Sequence, residues 1–323
     1  MSLASRITLQ ETLAPEPEDI LSASLGVIFP GDTVCSHGDA EHSTLLYTSP
    51  HLARALLLEL ADPRGEEERR LFSHYLWNSS LLLAEFVERD TLGLAEKGKG
   101  KEEEEEKVSF DVRGLDVAEL GAGAGLPSIM AGLLGANKVL VTDYPSEAVL
   151  DTLRRNVERN TKPEMAPPLP AEPAAQEDDR RGEEGRRGKG EVQVEGHSWG
   201  DFSPSLTPHH HVYDRVLACD CLWMPWQHDN LAHSISYLLA GTPSARAWVV
   251  AGFHTGRARM AGFFDAGFLR REGVGLEVER IWERDCDGVE RAWDAEREED
   301  DPTVRKRWLV VAVLRRVREE DER

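Results

Sequence analysis

Positive charge is the first thing this chain is short of. Its 323 residues hold 38 Lys and Arg against 59 Asp and Glu, a formal net charge of −21. A chain without a basic surplus cannot neutralise a phosphate backbone, so general nucleic-acid binding is excluded. Cysteine is also scarce. The four present, Cys35, Cys219, Cys221 and Cys286, form no CxxC and no metal-ligand spacing, which argues against a disulfide scaffold or a zinc site and for a reducing compartment. No apolar run is long enough to span a bilayer, and the N-terminus has no secretory core, so no membrane association is expected. Cytoplasm is the expected location, with the nucleus also compatible. Three adjacent histidines, His209 to His211, are present, but adjacent side chains cannot easily all face one metal, and no metal site is read there.

What the chain does have is 40% apolar residues, enough for a full α/β core. The stretch that organises it runs from Leu115 to Asp143. Leu115, Val117 and Leu120 form a short apolar strand that ends in Gly121-Ala122-Gly123-Ala124-Gly125. A helix from about Leu126 follows, with Pro127 in its first turn, where a missing N–H costs nothing. Lys138 to Thr142 is a second buried strand closed by Asp143, completing a βαβ unit. Glycines at 121, 123 and 125 let the backbone approach a ligand without a Cβ clash. Asp143 follows Gly121 at nearly the spacing at which an acid meets a ribose hydroxyl. The spacing is G-x-G-x-G, not the dinucleotide pattern, and Glu119 two residues earlier adds negative charge that a phosphate-binding turn does not want. An anionic site suits the sulfonium and amino group of S-adenosylmethionine (SAM) better than NAD. The plain alternative is a glycine loop with no ligand.

Residues 1–66 read as an N-terminal extension packed on the core, either capping the active site or purely structural. Within it His51 to Leu60 has the look of a short helix. Leu71 to Asp90 has helical periodicity through Phe72, Leu76, Leu83, Phe86 and Val87, with Trp77 in its middle as a core aromatic on periodicity alone. Residues 95–107 are low-complexity charge and 161–190 lose all periodicity, so both are expected to be disordered insertions within one domain spanning 67–317, followed by a short tail at 318–323. Ser146 to Asn160 is a helix with Ser146 as N-cap. Strands are expected at Glu191–His197, Val212–Cys219, Ala247–Phe253, Leu276–Trp282 and Arg307–Leu314, and helices at His228–Leu239 and Met260–Leu269. The order implies a doubly wound, mostly parallel seven-stranded sheet with an antiparallel edge.

Several motifs now carry a resemblance: Leu76-Trp77-Asn78, Glu119-Leu120-Gly121-Ala122, Leu126-Pro127-Ser128, Thr142-Asp143-Tyr144-Pro145, Trp199-Gly200, Asp220 and His228-Asp229. Over roughly 70–314 the chain resembles class I, seven-β-strand SAM-dependent methyltransferases with a Rossmann-like fold. Within them it resembles the lysine methyltransferase-like group that includes fungal nicotinamide N-methyltransferase-like proteins, since recognised as N-terminal and lysine methyltransferases of elongation factor 1-alpha. The resemblance implies that Trp77 closes over the methionine end of SAM and that Gly121, Ala122 and Gly123 pass beneath the ligand. It implies that Asp143 binds the ribose, with Glu119 and Tyr144 in the same cofactor set, that Trp199 lies beside the adenine, and that Cys219 lines the cofactor.

The family's acid, two residues, then Phe or Tyr is here Asp220-Cys221-Leu222-Trp223, and Met224-Pro225-Trp226 departs from the polar residues expected. Asp220 and Trp223 are the expected catalytic pair. Asp220 would hold an amine by accepting its hydrogen bond, and Trp223, with Trp226, would shape a channel attractive to a cation. The plain alternatives are that Asp220 caps the next turn and that both tryptophans merely pack. The implied reaction is N-methylation of a protein lysine or N-terminus. A small-molecule N-methyltransferase and a non-catalytic SAM-binding protein are the other classes.

Overall fold

The computed structural model describes residues 2–9, 34–38, 44–62, 74–94, 108–170, 190–298 and 301–318. The apolar pieces at 20–21 and 27–29, the charged stretch 95–107, residues 171–189 and the end of the tail lie outside the described residues. In chain order the strands and helices are β1 (Ile7–Leu9), β2 (Ser36–His37), β3 (Thr44–Tyr47), β4 (Leu56–Glu59), β5 (Leu76–Trp77) and α1 (Asn78–Thr91). Then come β6 (Asp116–Leu120), α2 (Leu126–Leu133), β7 (Lys138–Asp143), α3 (Glu147–Asn160), β8 (Glu191–Gly196), β9 (Arg215–Cys219) and α4 (His228–Leu238). Then follow β10 (Arg246–Gly252), α5 (Arg257–Ala261), α6 (Ala266–Arg270), β11 (Leu276–Asp285), β12 (Glu290–Ala292), α7 (Pro302–Arg305) and β13 (Trp308–Arg316).

The central sheet runs β12-β11-β13-β10-β9-β6-β7-β8. β8, β7, β6, β9 and β10 are parallel, and β13, β11 and β12 complete an antiparallel side. The fold is therefore the expected doubly wound α/β sheet. All seven expected strands are present, and an eighth, β12, is added between β11 and β13 in chain order. The chain leaves β6 toward β8 and returns to place β9 on the other side of β6, so the topological switch lies between β6 and β9, where ligands bind in such sheets.

Strand alternation separates two cores. Val117, Val139, Val141, Leu217, Trp248, Val250, Val311 and Val313 face one, with α1, α2 and α3. Ala118, Leu140, Val216, Ala218, Val249, Ala251, Val310 and Ala312 face the other, with α4, α5 and α6. A period of two on strands buried on both faces produces this.

Three local expectations change. Residues 51–60 hold no helix. β4 pairs with β3, and Leu56 and Leu58 are buried while Leu57 and Glu59 are half-buried. The α1 helix begins only at Asn78, because Trp77 is extended at ψ 150° and pairs with Ser36 of β2. The helix expected over Met260–Leu269 is two short ones, with a tight turn at Gly262–Phe264 and Asp265 capping the second by accepting from Phe268 N at 2.9 Å. Ser146 does hold the N-cap position of α3, but its side chain makes no capping hydrogen bond. Just after α3, Met165 is buried against the first core, so packed chain continues into the stretch expected to be an insertion.

Candidate active site

A cleft of about 240 Å³ opens at the C-terminal edge of β6, β7 and β9. Its floor is the glycine turn. Gly121 has a φ of 63°, and a Cβ there would lie 3.0 Å from both Cys221 Sγ and Trp199 Cζ2, so a side chain would push Trp199 off the turn. Ala122 N–H donates to Thr142 O (3.0 Å) and Thr142 Oγ1 donates to Glu119 O (2.8 Å), tying the ends of β6 and β7 together. Asp143 is buried at the end of β7. Gly123 N–H and Tyr144 N–H each donate to one of its carboxylate oxygens at 2.7 Å. Burial nonetheless raises its pKa, the two donors opposing the rise.

The walls are aromatic. Trp77 projects from the β5–α1 junction, with the His254 ring centroid 4.6 Å away and Tyr75 edge-on at 5.8 Å. Trp199 follows β8, where His197 Nε2 and Gly200 N–H both meet Ser234 Oγ on α4, at 3.0 and 2.9 Å. Trp223 stands in the turn after β9, a turn held by buried His228, whose Nε2 donates to Leu222 O at 3.0 Å.

Asp220 sits between floor and wall with a left-handed φ of 54°, a strained value for a non-glycine residue. Three donors over-determine it. Gly252 N–H donates to Oδ1 at 3.1 Å, while Ser79 Oγ at 3.1 Å and His254 Nε2 at 3.2 Å donate to Oδ2. Its side chain makes no capping bond to the turn that follows, which removes the capping alternative.

Of the residues singled out by sequence, Trp77, Gly121, Ala122, Gly123, Asp143, Tyr144, Trp199, Cys219, Asp220 and Trp223 are brought together in the cleft lining. Glu119 is not. It is 0% exposed beneath the turn, its Oε2 accepting from Ser128 N–H at the start of α2 (3.1 Å). Burial pushes its pKa up to about 8, partly opposed by Ser128. Burial thus disfavours its ionised form, and its side chain lies behind the turn and outside the lining. Trp226 also stays outside the lining, 71% exposed and edge-on to Trp223 at 6.3 Å. Cys219 and Cys221 are buried thiols pushed well above the usual range by burial, which excludes them as nucleophiles. Leu76, Ala124 and Cys221, neighbours of expected residues, also line the cleft, as do Tyr75, Ser80, His197, Ser198, Met224 and Gln227, which no expectation assigned to the site. Only His197 had a signal, its place directly after a strand.

The lining itself chooses between cofactors. Among the described residues no Lys or Arg lines the cleft, so a pyrophosphate would find no counter-charge. Two carboxylates, Asp143 and Asp220, and two indoles, Trp77 and Trp199, suit hydroxyls, a purine and a cationic sulfur instead. These residues fit SAM. The carboxylate oxygens that reach the cleft are those of Asp143 and Asp220, not those of Glu119.

Comparison with known proteins agrees. A lysine methyltransferase family profile matches residues 65–169. The protein N-terminal and lysine N-methyltransferase EFM7 of Gibberella zeae is 30% identical over 225 residues, covering 67% of this chain and 70% of its own. The Schizosaccharomyces pombe protein of the same name is 29% identical over 238 residues, covering 68% and 74%. With the switch-point cleft, its cation-free lining and these relatives in agreement, the chain belongs to the SAM-dependent lysine methyltransferase family.

Proposed function

We propose that the protein methylates a protein amine, a lysine side chain or an N-terminus, and that elongation factor 1-alpha is the acceptor. The relatives' names support a protein acceptor. The structural observation that carries the reading is Trp226. A large indole 71% exposed, in contact with cleft-lining Trp223 but outside the cleft, has no use for a small substrate and suits a macromolecule docking over the mouth.

The chain's own residues divide the work. Asp143 binds the ribose hydroxyls, Gly121 to Gly123 pass beneath the ligand, Trp199 with Tyr144 flanks the nucleoside, Cys219 closes the strand end, and Trp77 covers the methionine end. SAM supplies a methyl group on a cationic sulfur that departs as a neutral thioether, so no acid is required. Asp220 accepts the N–H of the incoming amine and so turns its lone pair inward, while Trp223 offers a π face to the nitrogen as it gains charge. Four free thiols suit a reducing compartment, and we place the protein in the cytoplasm, with the nucleus compatible.

The test is transfer from tritiated SAM to purified elongation factor 1-alpha, to whole-lysate proteins and to nicotinamide. Label in elongation factor 1-alpha is the expected result. Label only in other protein bands would remove that acceptor, and label only in a small product would overturn the protein reading.

A further inference from the structure

Strand β10 ends at Gly252, Phe253-His254 follow it, and crowding at Gly252 shows that the place of His254 is narrowly defined. A Cβ on Gly252 would lie 2.5 Å from His254 Nε2, so a side chain there would displace the imidazole that folds back over its own strand. In that position Nε2 is 3.2 Å from Asp220 Oδ2, and the ring lies against Trp77. His254 is not itself a lining residue; it reaches the cleft through two that are.

The environment fixes its charge. Burial alone would lower its pKa, but the Asp220 carboxylate, and after it the Cys35 thiol, raise it to about 10. The titratable groups facing it are Asp220 from the end of β9 and Cys35 from the segment ahead of β2. Cys35 is itself lowered by His254 and, more weakly, by Lys306. Arg257, three residues on, is committed to Glu283 at 2.6 Å.

We infer that His254 is a positioning residue for the methyl acceptor, neutralising Asp220 so that the cleft presents an amine with a hydrogen-bond acceptor but no uncompensated negative charge. The inference rests on Asp220 being the acceptor-side carboxylate. A lone carboxylate favours the protonated form of a neighbouring amine by roughly one to three pKa units, and an ammonium has no lone pair with which to attack. The imidazolium at 3.2 Å reduces that field to a dipole, and the amine gives its proton to solvent near its own pKa.

Two variants of the full chain separate charge from packing. H254Q keeps an N–H toward Asp220 without the charge, and H254F keeps a ring against Trp77 without the donor. With tritiated SAM and lysate proteins as acceptors, H254Q should keep its affinity for S-adenosylhomocysteine. Its kcat/KM at pH 7 should fall roughly tenfold, with the acid limb moved up about one pH unit and the alkaline plateau retained. H254F should lose turnover at every pH, and if it fails to fold, H254Q alone decides. An unmoved pH profile in H254Q overturns the inference. Independently of any acceptor, imidazole ¹⁵N NMR of the chain bound to S-adenosylhomocysteine should show His254 protonated at pH 8, and titration near 6.5 would equally overturn it. The D220N variant keeps the two readings apart. Full turnover in D220N removes Asp220 from the acceptor side, whereas an inactive D220N beside an unmoved H254Q sinks only the role of His254.

Discussion

At the scale of single residues, Glu119 and Asp143 show how far a motif is legible. Both acids belong to one glycine-turn pattern, and both are buried, yet only Asp143 reaches the cleft. The sequence reveals that Glu119 precedes the turn. It does not reveal that the side chain turns back to Ser128 N–H in the first turn of α2, because strand parity next to a turn is set by the tertiary fold. The difference is measurable. Glu119 ionises near 4.5 when unfolded but near 8 when folded, so the folded state binds the extra proton. Its contribution to stability is complete below pH 4.5 and is lost as pH rises toward 8, by on the order of 2–4 kcal/mol. E119Q, whose amide oxygen still accepts from Ser128 N–H, should flatten that decline in urea titrations between pH 5 and 8 and leave SAM affinity nearly unchanged. Asp143→Ala should do the reverse in calorimetry, weakening SAM binding by about 1.5–3 kcal/mol, the scale of a lost charged hydrogen-bond partner. His254 had no such signal, since a histidine two residues past a strand is ordinary until Asp220 is seen beside it.

At the scale of elements, long periodic segments were legible and short apolar runs were not. The α3 helix shows its face through Val149, Leu150, Leu153 and Val157, and every buried strand of the central sheet could be located. By contrast Leu56-Leu57-Leu58 fits a helix or a strand equally well, and the pairing of β4 with β3 decides it. The short α5 helix was read as part of a longer one because its anchor lies far away in sequence. Arg257 makes a bidentate pair with fully buried Glu283 at 2.6 and 3.0 Å, and its guanidinium lies over Phe253 (4.2 Å) and Trp293 (5.1 Å). Arg257→Met would leave fully buried Glu283 with Arg291 at 2.7 Å and Arg297 at 3.7 Å as its remaining charge partners. The expected cost is about 3–5 kcal/mol in chemical denaturation, the scale of breaking a buried pair from one side. Because α5 begins three residues after His254, turnover should fall further than stability accounts for. A Glu283→Gln, Arg257→Met double variant should recover stability, since it removes both buried charges.

At the scale of the whole molecule, the described N-terminal residues, 2–9, 34–38 and 44–62, are better regarded as part of the fold than as an addition to it. Leu3, Leu45, Tyr47, Leu56 and Leu58 are buried in the same core as α1 and α2. The free edge of β4 is closed by two side chains of α3. Asn156 exchanges hydrogen bonds with Glu59 N and O (2.8 and 2.8 Å), and Asn160 does so with Leu57 (3.0 and 2.8 Å), so two amides four residues apart act as a neighbouring strand. No composition or periodicity announces that. The chain just beyond this same end of α3 makes the complementary point. Residues 161–190 read as one insertion without periodicity, yet Met165 is buried in the first core and Ala166 packs against it. We therefore propose that the dispensable part is shorter than its composition suggests. Replacing 171–189, a stretch too charged and too poor in large apolar residues to bury much apolar surface, with a short Gly/Ser linker between Pro170 and Gly190 should leave Tm within a few degrees and SAM binding intact. Extending the replacement back to 163 removes the Met165 side chain from the core and should cost about 2–4 kcal/mol in denaturant unfolding. Equal stability in the two replacements would show that Met165 contributes nothing there. A collapse in the shorter one would show that 171–189 is needed by the fold, because that version leaves residues 163–170, Met165 included, in place.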